Sequence, residues 1–104
     1  LRGALAVGDV TWLAEESVTI AQGETVRVNV PANLDPARAL LIGGEGVLDV
    51  DAFLRAEDDS LVASDTGPAP WAVVERRPSG VSLDVVAYRG EGTVVVRWLG
   101  PPGS

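Results

Sequence analysis

With 104 residues, the chain is long enough for one domain that buries about two thirds of the surface of its unfolded state. It contains no cysteine and no histidine, which excludes disulfides, thiolate metal sites, catalytic triads and histidine-based zinc sites. The 15 acidic residues outnumber 8 basic ones, all arginine, and the net charge of −7 argues against nucleic acid and anionic membranes as partners.

Short strands dominate the pattern, because 12 Gly and 7 Pro interrupt the chain and the apolar residues between them recur at every second position. In segment 25–30, three valines alternate with polar residues, so the valines are expected to face a core. About eight strands are predicted from nine segments, the first being the weakest: 10–13, 17–20, 25–30, 39–42, 50–55, 61–64, 71–76, 81–88 and 93–99.

Glycine marks the connections between these strands. Segments 21–24 and 89–92 are predicted to be tight hairpins between antiparallel neighbours, since glycine supplies the positive φ that such turns need. Segment 35–38, which places Pro after Asp, predicts one helical turn. The three valines at 94–96 are apolar on both faces, which indicates a strand in the middle of a sheet or one covered by a terminus.

Regularly spaced short strands predict an all-β fold, an antiparallel β-sandwich that is jelly-roll-like. We expect a single domain over residues 1–100 and a disordered tail or linker over 101–104. No apolar run approaches the length of about 20 residues that spans a bilayer, so membrane insertion is not expected.

The most informative segment is acidic and covers residues 49–65. On a strand, Val50, Ala52 and Leu54 point to one face. The other face carries two carboxylates, an aromatic ring and a guanidinium, contributed by Asp49, Asp51, Phe53 and Arg55. Segment 57–60 is predicted to be a polar hairpin turn that leads into the next strand.

The run Asp49-Val50-Asp51-Ala52-Phe53, followed by a polar turn and a return strand ending in Ser64-Asp65, resembles the bacterial pre-peptidase C-terminal domain family. Its hallmark is Asp-x-Asp-Leu-Tyr, for which this chain has Ala52-Phe53 in place of Leu-Tyr. The resemblance extends over about residues 17–99. It implies a jelly-roll sandwich in a secreted or periplasmic bacterial protein, generally non-catalytic, with some members binding matrix polymers such as collagen and some binding calcium.

Calcium is the metal that this composition suits, since the chain offers carboxylate and carbonyl oxygens but no thiolate or imidazole. The spacing of the acidic residues matches no EF-hand loop. The alternative is a solvated acidic strand and turn that discourages edge-to-edge sheet pairing. The candidate ligands are Asp49, Asp51, Asp58, Asp59 and Asp65.

Two aromatic residues are candidates for ligand binding, because flat rings are low-entropy anchors for proteins and sugars. Phe53 lies on the polar face of its strand, and Trp71 follows the rigid loop 67–70. Each has the alternative of packing against the core. Trp98, among valines and leucines, is predicted to be packed, whereas Trp12 is equally compatible with burial and exposure.

Catalysis is not expected. The carboxylates of Asp49 and Asp51 would lie about 7 Å apart on one strand, within the range of glycosidases, but any alternating strand gives that spacing. We therefore predict a non-catalytic accessory or binding module for a protein or polysaccharide surface. The alternative is a structural role as a spacer, folding aid or subunit contact.

Overall fold

The computed structural model describes residues 12–31 and 36–100. Within these ranges the chain forms eight strands and no helix. The first two predicted segments prove to be one long strand, and the other seven segments each correspond to a strand. The strands are β1 Trp12–Ile20, β2 Thr25–Asn29, β3 Arg38–Gly43, β4 Val47–Ala56, β5 Leu61–Asp65, β6 Trp71–Glu75, β7 Gly80–Gly90 and β8 Gly92–Leu99.

The strands form two antiparallel sheets of four, packed face to face. Sheet A has the order β1-β8-β3-β6 and sheet B the order β2-β7-β4-β5. With eight strands in two sheets, and the chain passing repeatedly from one sheet to the other, this is a jelly-roll sandwich. The predicted fold class is confirmed.

The prediction of hairpins at 21–24 and 89–92 is wrong. β1 pairs with β8 and β2 pairs with β7, so both segments carry the chain from one sheet to the other. Gly23 and Gly90 do adopt positive φ, 83° in each case, but such a turn serves an arch between sheets as well as a hairpin. Among the described strands, β4 and β5 are the one consecutive pair that is hydrogen-bonded, through the predicted polar turn at 57–60.

The helical turn expected at 35–38 is not formed in its described part. Pro36 and Ala37 have no helical structure, and Arg38 already begins β3, pairing with Glu75 and Leu99. Asp35, its expected cap, lies outside the described residues. The sheet hydrogen bonds therefore outweigh the local capping signal at this point.

Alternate residues of both sheets build the core. Val94 and Val96 of β8 are fully buried, whereas Val95 faces outward. The strand β8 lies between β1 and β3 in sheet A. The prediction of a mid-sheet strand at 94–96 is confirmed. The buried apolar residues are Ile20, Val28, Ala39, Leu41, Val47, Val50, Ala52, Leu54, Ala72, Val74, Leu83, Val85, Ala87, Val94, Val96 and Trp98.

The tail predicted at 101–104 lies outside the described residues, as does the start of the first predicted strand. Within the described part of the chain, no helix is long and apolar enough to cross a membrane. The described part of the core is apolar, mostly aliphatic with Trp98, so the polar side chains discussed below lie on the two outer faces and in the loops at their ends.

Candidate binding surfaces

The outer face of sheet B carries a network of ion pairs. Register places Arg27 of β2 and Phe53 of β4 on either side of Asp84 in β7. The Nε of Arg27 donates to one oxygen of the Asp84 carboxylate at 2.7 Å, and the Nε of Arg55 donates to the other at 3.2 Å. Arg27 also reaches the exposed carboxylate of Asp59 at 2.6 Å.

This network controls the ionisation of its central carboxylate. The hydrogen bond from Arg27 lowers the pKa of Asp84, helped by Arg55 and opposed by burial. In return, the same carboxylate and Asp59 raise the pKa of Arg27. Asp84 is therefore a structural anion that holds strands β2, β7 and β4 together.

Phe53 packs beside the arginines of this network instead of forming an open ligand site. Its ring is half-buried on the outer face of sheet B. The guanidinium carbon of Arg55 lies 5.9 Å from the ring centroid, within the range of a cation–π contact. The neighbouring residues Ala52 and Leu54 point into the core, as the alternation predicted.

The burial of Asp49 and Asp51 contradicts the interpretation of this strand as solvated. They are only 6% and 9% exposed, on an inner strand of sheet B flanked by β7 and β5. One oxygen of each carboxylate, Oδ1, is buried without a hydrogen-bond partner. Burial raises the pKa of Asp51, and the negative charges of Asp49 and Asp65 and a hydrogen bond with the Asp49 carboxyl add to the increase.

The other acidic candidates have separate roles. Asp58 accepts hydrogen bonds from the amide and hydroxyl of Ser60, which stabilise the turn and lower the pKa of Asp58. Asp59 adopts a positive φ of 73° in the same turn. Both are exposed, so the solvated interpretation does hold for the turn itself.

Asp65 connects the edges of the two sheets. Its Oδ1 accepts from the amide of Gly67 at 3.1 Å, and its Oδ2 accepts from the amide of Val73 in β6 at 2.9 Å. The sequence pattern predicted Asp65 as one of five candidate metal ligands, together with residues of the strand and of the turn. The structure instead places it near Asp51, at the opposite end of β4 from Asp58 and Asp59.

The five acidic candidates are thus divided between two ends of one strand. Asp49, Asp51 and Asp65 lie together at one end, and Asp58 and Asp59 at the other. Within residues 12–31 and 36–100, no group of three or more Asp, Glu, His or Cys side chains has an arrangement that would hold a metal ion. A single site made from all five is incompatible with this geometry.

The outer face of sheet A has a different character. Trp71, at the start of β6, is 54% exposed and pairs with Ile42 of β3, which in turn pairs with Val95 of β8. The next row places Val73 beside Leu40. These four aliphatic side chains are half-buried, so an apolar strip with an indole at one end runs across three strands.

Trp71 and Phe53, the two aromatic candidates, therefore lie on opposite faces of the sandwich. A single ligand contact cannot use both rings. Trp98 is 3% exposed in the core, which confirms its predicted packing, and its indole nitrogen donates to Glu16 at 3.3 Å. The side chain of Trp12 lies outside what the structure describes.

Two depressions in the described part of the molecule lie near these residues. One is widely open to solvent at the end of the sandwich, between the 57–60 turn and the loop before β7, where Asp58 and Pro78 contribute to its walls. Another is an apolar gap of about 10 Å³ beside Leu54 and Trp98, room for roughly one water molecule.

Sequence reasoning missed the Arg27–Asp84–Arg55 network and the apolar strip of sheet A. Both depend on strand register: Arg27 and Asp84 are 57 residues apart in the chain. The sequence did contain one signal for the apolar strip. Val95 is apolar although it points away from the core, but the residues beside it on neighbouring strands could not be known from the sequence.

Comparison of the sequence with protein-family models and with curated proteins gives no match. The likeness of the acidic segment to the pre-peptidase C-terminal family remains a resemblance carried by residues 49–65 and the alternation around them.

Proposed function

We propose that this domain is a non-catalytic binding module that attaches to a protein surface through the outer face of sheet A. The observation that carries the proposal is the exposed indole of Trp71 at one end of an apolar strip formed by Ile42, Val95, Leu40 and Val73.

The composition of this face is that of a protein interface. Interfaces have an apolar centre with aromatic anchors and a polar rim. Here two ion pairs flank the apolar strip: Arg97 with Glu15 at 2.9 Å, and Arg38 with Glu75 at 3.6 Å. This face is also four strands wide, which suits a folded protein partner better than a single extended sugar chain.

The non-catalytic part of the proposal rests on residue chemistry. Histidine and cysteine are absent from the sequence, and the carboxylate pair that resembles a glycosidase spacing is more than nine-tenths buried. The proposed setting, a secreted or periplasmic bacterial protein, comes from the resemblance of the acidic segment to the pre-peptidase C-terminal family.

The test is a co-sedimentation assay with insoluble collagen as the protein partner and cellulose and chitin as polysaccharide controls. We expect binding to collagen, a loss of at least about tenfold in affinity for Trp71→Ala, and no change for Phe53→Ala, the matched aromatic truncation on the opposite face. The melting temperature of Trp71→Ala should stay close to that of the parent, because the indole is 54% exposed.

Three results would contradict the proposal: no binding to collagen, loss of binding in Phe53→Ala alone, or binding confined to the polysaccharides. The structural alternative, a subunit contact, uses the same apolar strip. It predicts self-association in sedimentation equilibrium that Trp71→Ala disperses, together with no binding to collagen.

A further inference from the structure

The two buried carboxyl groups of β4 are joined by a hydrogen bond that the proposed function does not use. Asp49 and Asp51 are 6% and 9% exposed, and the Oδ1 atom of each accepts no bond from an N–H or hydroxyl group of the described residues. The side chain of Asp51 is instead hydrogen-bonded to that of Asp49. An ionised carboxylate can only accept, so this bond requires a proton on one of the two groups.

No cation among the described residues takes the place of that proton. In the neighbouring strand β7, Arg89 lies opposite Asp49 and Val86 lies opposite Asp51. Arg89 is exposed and forms no ion pair among the described residues. The arginines further along this face are engaged in the network around Asp84. The shared proton is therefore what compensates the charge of the pair.

The other ionisable groups around the pair add negative charge or are in contact with solvent. Asp65 of β5 brings a further negative charge near Asp51, and both of its oxygens already accept from backbone amides. Tyr88 of β7 and Glu45, in the turn before β4, are exposed, and segment 66–70 has no ionisable side chain. Loss of the proton thus leaves three carboxylates in one partly buried region, where they repel each other.

Segment 66–70 is attached beside this pair by backbone hydrogen bonds. The carbonyl of Ala69 accepts at 2.9 Å from the amide of Val50, which lies between the two aspartates in β4. The carbonyl of Pro70 accepts at 2.7 Å from the amide of Gly43. The segment belongs to no strand, so it can move without the opening of a sheet ladder.

We propose that Asp49 and Asp51 form a pH-sensitive switch that controls the attachment of segment 66–70 to β4. With one proton shared, the two carboxyl groups remain in contact and the segment stays bonded to Val50. When that proton passes to solvent, the carboxylates separate, water enters the outer face of β4, and the segment detaches.

The direction of the switch follows from the environment of the pair. Burial and the charges of Asp49 and Asp65 raise the pKa of Asp51 while the segment is attached. The attached state is therefore fully favoured below the ordinary aspartate pKa of about 3.9. It is favoured progressively less as the pH rises towards the raised pKa.

The switch lies next to the proposed binding surface. Segment 66–70 leads directly into Trp71, which pairs with Ile42 in β3. Loss of the bond between Pro70 and Gly43 frees the start of β6, so the apolar strip loses the fixed position of its indole. This consequence rests on the proposed function: binding through Trp71 should weaken as the pH rises.

Hydrogen exchange of the whole chain, followed by NMR between about pH 4 and pH 8, tests the switch without a ligand. The reporters are the amides of Val50 and Gly43, and the control is the amide of Val30, which is bonded to Val81 at the opposite end of the sandwich. After correction for intrinsic exchange, protection of the reporters should fall by up to tenfold per pH unit above about pH 4 and level off above the raised pKa. Protection of Val30 should fall less.

Matched variants assign the effect to the pair. Asp51→Asn places a permanent N–H donor beside Asp49, and Asp49→Asn does the same beside Asp51, so each should keep the reporters protected over the whole pH range. Glu57→Gln removes a charge from an exposed position at the other end of β4 and should follow the parent.

The proposal is overturned if protection of the reporters does not change over this pH range. An equal fall at Val30 would also overturn it, since the whole fold and not the segment would then be opening. So would an unchanged pH dependence in both Asn variants. Collagen binding that Trp71→Ala impairs but pH does not alter would remove the link to the binding surface. A chain that binds no collagen contradicts the proposed function alone, because the exchange measurement needs no ligand.

Discussion

The Nε atom of Arg27 lies 2.7 Å from the Oδ1 atom of Asp84, across neighbouring strands of sheet B. Arg55 approaches the same carboxylate from the other side, so the anion is shared by guanidinium groups from two strands. The outer face of sheet B is thereby divided along its length. One end is electrically compensated, and the other, at Asp49 and Asp51, is not.

Replacing Asp84 with Asn should destabilise the domain by about 2 kcal/mol, because the charge assistance of three hydrogen bonds to a largely buried carboxylate is lost and two guanidinium groups remain beside a neutral amide. Urea unfolding at neutral pH measures the difference. Asp59→Asn is the matched control: it removes the other partner of Arg27, but that pair is exposed and should contribute about 0.5 kcal/mol or less. Equal losses for the two variants would contradict this account.

Asp84 should also make the domain sensitive to acid. Its pKa in the folded state is lowered by Arg27, so folding favours the ionised form. The resulting stability is present above the unfolded pKa of about 3.9 and is lost as the pH falls through the lower, folded value. Unfolding free energies measured down this acidic range should decrease more steeply for the unmodified chain than for Asp84→Asn. If the unfolding free energies of the unmodified chain and of Asp84→Asn depend on pH in the same way, Asp84 is not the source of the acid sensitivity.

Local patterns in the sequence predicted which residues face the core, because alternation is a property of each strand alone. Val28 and Val96 are buried as expected, and Trp98 is packed. Pairing was not predictable in the same way. Segment 21–24 has the glycine of a hairpin, but whether the next strand turns back beside β1 or crosses to the other sheet depends on contacts with β7 and β8, far along the chain.

The candidate site was predicted in part for the same reason. Asp49 and Asp51 were correctly placed on one side of β4, opposite Val50. Their burial was not predicted, since it depends on the strands on either side and on the 66–70 loop, where the carbonyl of Ala69 accepts from the amide of Val50. The apolar strip at Trp71 likewise exists only once β3, β6 and β8 are in register.

The two connections between the sheets, at segments 21–24 and 89–92, allow the cost of backbone strain to be separated from the cost of steric overlap. Gly23 and Gly90 have the same φ of 83°. A Cβ at Gly23 would meet nothing within 4 Å, whereas one at Gly90 would overlap the carbonyl oxygen of Gly46 and lie 2.9 Å from the amide of Leu48.

Gly23→Ala should therefore cost about 1 kcal/mol, the strain of a left-handed alanine alone. Gly90→Ala should cost about 3 kcal/mol or more, because the backbone around it must also move. Chemical denaturation of both variants gives the comparison. If the two substitutions are equally costly, the close approach of the 43–46 loop to Gly90 is not a constraint on the fold.

Asp51 should give a pH dependence of opposite sign to that of Asp84. Its pKa is raised by burial and by Asp49 and Asp65, so folding favours the protonated form. That stability is fully present below the unfolded pKa of about 3.9 and is lost as the pH rises through the folded value. Asp51→Asn, which cannot ionise, should thus be more stable than the parent near neutral pH and should lose this advantage on acidification. Urea unfolding over this range measures the difference, with Glu57→Gln as the exposed control that should follow the parent. A variant Asp51→Asn less stable than the parent at neutral pH would contradict this prediction, because it would show that the carboxylate is stabilised in its ionised form.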